Sequence, residues 1–200
     1  MREHTEGVFD AIKYCFAHLT DFSGRDGRAT FWWWVLFIVV LQFVLGLLAS
    51  IPMLIQTLGA AMDGAQAGAD AAQIEGEVFE AMGEGFGATA YISAAISLLI
   101  IALIAAAFVR RLHDAGFSGW LALAPIALQI AAIIGSIVLL EQVAAMFAAA
   151  QNQAELQAMQ ADLMFHWSSI CGWLAILFVL IFGIMKSQDG PNSYGEPPAT

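Results

Sequence analysis

The chain has 200 residues, of which 60% are hydrophobic and only 12% charged, with a formal net charge of −10. Soluble domains carry about 25% charged residues, and nucleic-acid binders need a basic patch that this chain lacks. Both classes are excluded, and the composition points to one integral membrane domain.

Residues 1–30 are expected to be a cytoplasmic helix and loop; residues 1–20 have no continuous apolar core of the length a cleavable signal peptide needs, so none is expected. Within 6–19, Phe9, Ile12, Phe16 and Leu19 recur at helical spacing, and Val8 and Cys15 widen the stripe. This predicts an amphipathic helix that either lies on the inner leaflet or packs under a helix bundle. Lys13 is its one basic residue, so attraction to anionic lipid is weak. Residues 20–27 read as a loop.

Four uncharged runs follow. They lie between Arg28 and Asp63, Glu84 and Arg110, Asp114 and Glu141, and Asp162 and Lys186, and contain 34, 25, 26 and 23 residues. About 20 apolar residues cross a bilayer as a helix, so each run suffices. The spans are placed near 31–55, 91–110, 119–140 and 167–185. Phe31, Trp32, Trp33 and Trp34 open the first, while Tyr91, Trp120 and Trp167 open the others. Such aromatic residues suit the headgroup level. Between the spans, 56–90 is expected to be an acidic outer loop, helical over about 70–84. Segment 141–166 has no glycine or proline through 141–162 and is expected to be a second acidic outer loop of helical character.

Lysine and arginine set the orientation. Arg2, Lys13, Arg25, Arg28, Arg110, Arg111 and Lys186 all fall on one side of a four-span arrangement, and loops 56–90 and 141–166 hold none. Basic residues are retained in the cytoplasm, so both termini are predicted to be cytoplasmic, the C-terminal tail being 186–200. The outer loops then carry nine acids. Cys15 and Cys171 fall at opposite sides of the bilayer, so no disulfide is expected between them.

The span cores contain no ionisable residue of the kind that pumps and ion transporters keep in the membrane. Their polar features are Gln42 and Gln129, each near mid-span. Mutual or backbone hydrogen bonding as interhelical glue is the favoured role, and a polar substrate path is the sharper alternative. The four histidines lack metal-ligand spacing, no catalytic constellation is present, and neither a metal nor a cofactor is expected. His113 and Asp114 are adjacent, so they do not face one another on a helix.

Charged residues gather instead at one edge of the spans, in FSGRDGRATFWWW at 22–34, VRRLHDAGFSGW at 109–120 and GPNSYGEPP at 190–198. In this combination the chain resembles the bacterial inner-membrane family catalogued as domain of unknown function 805. The first motif covers Gly24, Arg25, Arg28 and Trp32. The second covers Arg110, Arg111, His113, Asp114, Gly116, Ser118, Gly119 and Trp120. The third includes Asn192, Tyr194 and Gly195. The resemblance departs at Thr30, where members often have an acid, and at Ser193, where they often have a base. It implies a small multi-span membrane domain and no established activity.

Two arrangements of these motifs compete. In one they form a structural knot, with Arg25 or Arg28 paired to Asp114, Arg110 or Arg111 paired to carbonyls or Asp26, and the tail folded over the turn. In the other the arginines and His113 leave a pocket for an anionic phospholipid headgroup or a partner protein. The sequence thus predicts an all-α, four-span protein of the bacterial inner membrane with both termini inside. Its expected role is a non-enzymatic lipid- or partner-binding component, with a small transporter or channel subunit as the alternative.

Overall fold

The computed structural model describes residues 7–149, 157 and 163–198. These residues form six α-helices. They are α1 (Val8–Ala17), α2 (Arg28–Ala67), α3 (Ala71–Asp114), α4 (Leu123–Val138), α5 (Leu140–Ala149) and α6 (Trp167–Ile184), with a 3-10 turn at Gly119–Ala122 leading into α4. Four are long and apolar enough to cross a membrane: α2, α3, the turn joined to α4, and α6. No strand occurs among the described residues.

The largest difference from the sequence reading concerns 56–90. It is helix rather than loop, broken only at 68–70. At about 1.5 Å per residue, the 40 residues of α2 and 44 of α3 far exceed what a bilayer requires. The turn between them is defined at both ends. Gly68 adopts a left-handed φ of 75°, with Gly68 N bonded to the Ala65 carbonyl and Ala69 N to that of Gly64, the paired bonds of a Schellman helix end. Asp70 and Gln73 then cap α3 reciprocally. Gln73 N donates to Asp70 Oδ1 at 2.9 Å, and Asp70 N donates to Gln73 Oε1 at 3.1 Å. Segment 141–166 is helical to Ala149; most of its remainder, like Arg2, lies outside the described residues.

Two compact units divide the chain. One comprises 1–43, 97–130 and 172–200, and the other 44–96 and 131–171. The first has a core built from α1, α2 and α3. Cys15, Phe31, Trp34, Ile38, Phe108 and Leu112 are buried in it, and Phe178, Val179 and Phe182 of α6 pack against it. Phe31, Trp34 and Ile38 follow one another at helical spacing, which places them on one face. Phe31 and Trp34 are therefore fully buried against the bundle rather than facing lipid headgroups, and the Trp34 indole N–H is satisfied by the Leu103 carbonyl at 3.2 Å. Trp120, Tyr91 and Trp167 are exposed, as interfacial aromatics should be. The opposite face of α2 presents Leu36, Val39, Val40 and Phe43 outward, as lipid contact requires.

α1 packs through part of the predicted stripe, since Ile12, Cys15 and Leu19 meet the core, but the contact is rotated away from Phe9 toward Ala11. Ala11 and Cys15 are its buried residues, with Ile12 and Tyr14 packed beside them. Phe9 is 78% exposed. Ala11 and Cys15 are small enough to sit at the closest approach, while Phe16, half exposed, meets Trp34 and Phe37 of α2 edge-on at 5.0 and 5.4 Å.

Candidate functional site

The three motifs converge at one end of the first unit. The convergence begins with the end of α3. Gly116, at a φ of 84°, closes the helix in a second Schellman arrangement. Its N–H bonds the His113 carbonyl, and Phe117 N bonds that of Leu112. A Cβ on Gly116 would also stand 2.8 Å from Gln188 Oε1 of the tail. Ser118 then accepts from Trp120 N at 3.4 Å and caps the 3-10 turn. The chain is thereby reversed within a few residues of Arg110, Arg111, His113 and Asp114, all of which are buried.

Asp114 is the hub. Its Oδ1 accepts from Arg25 Nε at 3.2 Å and Nη2 at 3.1 Å. Its Oδ2 accepts from Arg111 Nη1 at 2.5 Å and from Ser187 Oγ at 2.5 Å. Both ion pairs are fully buried. A third pair joins Arg110 Nε to Asp26 Oδ2 at 2.8 Å, and Tyr14 donates its hydroxyl to Asp26 Oδ1 at 3.1 Å.

Three arginines against two aspartates leave one positive charge in excess, and backbone carbonyls balance it. Arg110 Nη1 donates to the carbonyls of His18, at 2.8 Å, and of Asp21, just past the end of α1. Arg111 donates to the carbonyls of Gly183, at 3.2 Å, and of Met185, at the end of α6. Arg25 donates to those of Gln188 and Gly190, both at 2.7 Å, in the C-terminal tail. The last carbonyls of a helix lack intrahelical partners and carry partial negative charge. Each arginine therefore caps the end of a different segment, while the two aspartates hold the arginines in place. Arg110 Nη2 is buried and finds no hydrogen-bond partner among the described residues. The guanidinium carbon lies 5.6 Å from the centre of the Tyr14 ring, within cation–π range.

The remaining motif residues lock this arrangement. His113 Nδ1 lies 3.1 Å from the Gly24 carbonyl; a carbonyl only accepts, so Nδ1 carries the proton. The ring stacks on Tyr194 at 3.7 Å and 3°. Asn192 Nδ2 donates to the His113 carbonyl at 2.9 Å, and Asn192 and Gly195 exchange backbone bonds in a tight turn. Trp32 Nε1 donates to the Gly183 carbonyl at 3.1 Å. Gly183 needs its lack of a side chain, since a Cβ would stand 2.9 Å from both Phe31 and Trp32. Gly119 lies close to His113.

Of the two arrangements predicted for the motifs, this is the knot. The buried arginines are committed to carboxylates and carbonyls and present no open face to a phosphate. Arg28, the other candidate partner for Asp114, is exposed and makes no ion pair among the described residues. Trp120 is exposed as well. Tyr14, Ser187 and Gln188 are contributors that sequence reasoning missed.

Cys15 is 1% exposed beneath this network. Burial, reinforced by the charge of Asp26 and opposed by that of Arg110, pushes its thiol up to about 12 from 9.0. The thiolate is the reactive form. In a Cys171→Ala background at pH 8, maleimide labelling of Cys15 is expected to be on the order of a thousandfold slower in folded than in SDS-denatured protein. The raised pKa means that the thiol's contribution to stability is complete below pH 9 and is lost as pH rises toward about 12.

Gln42 and Gln129 lie elsewhere in the same unit, on the wall of one cavity of about 290 Å3. Their side chains were expected to bond to each other or to backbone. Neither side-chain amide hydrogen-bonds to a described residue.

The family model described as "Protein of unknown function (DUF805)" matches residues 19–196, and the chain belongs to that family. No curated protein and no solved structure matches the chain.

Proposed function

We propose that this DUF805 member is a non-enzymatic component of the bacterial inner membrane, one that binds lipid or a partner protein through its helix bundle. The observation that carries this reading is the burial of the motif cluster. Arg25, Arg110, Arg111 and Asp114 are at most 1% exposed, and their polar atoms, Arg110 Nη2 excepted, are spent on one another, on Asp26 and Ser187, and on backbone carbonyls at helix ends and in the tail. A general acid or base must reach the proton it transfers, and His113 is stacked and hydrogen-bonded instead. The motifs therefore serve to clasp the segments together, and binding belongs to the bundle surface or its cavity. The presence of Gln42 and Gln129 on that cavity favours a second reading, a small transporter or channel subunit.

Purification in a native-lipid extract, followed by lipid analysis and partner pull-down, tests the proposal. A specific lipid or protein retained in stoichiometric amount is expected; none retained would overturn it.

Orientation belongs to the same proposal. All seven basic residues fall in the sequence of the first unit and none in that of the second, which supports placing both termini in the cytoplasm. Reporter fusions at the 68–70 turn, at residue 115 and at the C-terminus are expected to report outside, inside and inside. An outside signal at residue 115 would contradict the topology.

A further inference from the structure

The cavity of about 290 Å3 lies within the first unit and is lined by α2, α3, α4 and α6. Its size is near the lower end of small-molecule sites, roughly 300–1,000 Å3. Val39, Gln42, Ile176 and Leu180 are exposed lining residues, so the cavity is open rather than sealed. Its wall is apolar, Phe108 included, apart from Gln42, Ser97 and Gln129, and no charged residue or histidine lines it among the described residues.

Depth decides what can enter. Gln42 is ten residues beyond Trp32, and Gln129 nine beyond Trp120, or about 14–15 Å along a helix. Half of a hydrocarbon core of about 30 Å is the same distance. Both amides therefore stand near the middle of the membrane, with donors and acceptors that no described residue satisfies. An unsatisfied amide is costly there, so an occupant that hydrogen-bonds to them is favoured over bare acyl chain. Phospholipid esters lie near the membrane surface, and a phospholipid would bring only its tails to this depth. A charged ligand would find no counter-ion. The fitting occupant dissolves in hydrocarbon, is neutral, and carries hydrogen-bonding oxygens on an apolar body.

We propose that this cavity binds an isoprenoid quinone. Amide N–H groups of Gln42 and Gln129 donate to its carbonyl oxygens, and their own carbonyls accept from the hydroxyls of the reduced form, so either redox form is held. Only binding is assigned. The inference rests on the lipid-binding reading above and names its ligand class.

The test is calorimetric titration of the detergent-purified full chain with a decyl-substituted benzoquinone, alongside a Gln42→Leu/Gln129→Leu variant. Saturable binding is expected for the wild type, weakened about tenfold or more in the variant by loss of two hydrogen bonds. The variant is expected to keep its Tm, because the amides it loses have no protein partner; circular dichroism melting checks this. Absence of saturable binding by folded wild type, or equal binding by a folded variant, would overturn the proposal. Native mass spectrometry separates its failure from that of the broader reading. Retained phospholipid without quinone binding removes the quinone and leaves lipid binding standing, whereas no retained lipid or partner of any kind removes both. A dimer that forms in the wild type and is lost in the variant, with no quinone bound, would assign the cavity to a second copy and likewise overturn the proposal.

Discussion

Replacing Asp114 with alanine is expected to leave little folded protein after detergent extraction. The carboxylate receives Arg25, Arg111 and Ser187, and its removal strands two buried guanidinium groups at once. Breaking a single buried pair in this way costs about 3–5 kcal/mol. A domain's whole stability is typically about 5–15 kcal/mol, so the loss is a large share of the total. Arg25→Met is expected to cost less, since Asp114 then keeps Arg111 and Ser187 and no charge is left without a partner. Thermal unfolding followed by the fluorescence of the six tryptophans measures both. A wild-type Tm in Asp114→Ala, or a larger loss in Arg25→Met, would contradict the hub assignment.

The second large effect is expected at Asp26. Asp26→Ala leaves Arg110 buried without its carboxylate and removes the acceptor of the Tyr14 hydroxyl bond, again at about 3–5 kcal/mol. Adding Arg110→Met removes the stranded charge but also uncaps the chain beyond α1 at His18 and Asp21. The double variant is therefore expected to recover only part of the loss, with a coupling of roughly 0.5–3 kcal/mol between the two sites. Cys15 supplies an independent readout. It sits on the buried face of α1, so loosening of that helix should accelerate its labelling in both variants. Strict additivity of the two substitutions, with Cys15 still protected, would show that the pair does not hold α1.

Much of this was legible in the sequence, for identifiable reasons. Charge-free runs are long-range averages and survive any local error, so the four apolar helices were plain. The pairing of Arg25 with Asp114 was foreseeable because three charged, glycine-rich motifs had to share one edge of the bundle. The helical hairpin through 56–90 was less plain, although its signals were present. Gly68 followed by Asp70 and Gln73 is a helix stop and a capping pair; Gly76, Gly83, Gly85 and Gly87 argued against helix on propensity alone, and tertiary packing overrode them. The burial of Trp34 and the exposure of Phe9 turned on which face of a helix meets its neighbours. The carbonyls at His18, Gly183 and Gln188 carry no side-chain signature at all. The cavity at Gln42 and Gln129 depends on the relative rotation of four helices, which periodicity does not determine.

The arginine network has a consequence for how the motifs are understood. Guanidinium groups clustered at the end of membrane helices invite a phosphate-binding interpretation, since arginine offers paired donors that match phosphate oxygens. Here those donors already meet Asp26, Asp114 and the ends of α1 and α6. Lysine at both positions keeps the charge but has one nitrogen in place of the planar fork, so it cannot reach two segments together.

The most direct test is therefore anionic phospholipid retained per folded molecule, measured by mass spectrometry in wild type and in the Arg110→Lys/Arg111→Lys variant. The clasp account predicts equal retention in the folded fractions, accompanied by a lower Tm in the variant. A fall in retained lipid at unchanged Tm would contradict it and assign the two arginines to headgroup recognition.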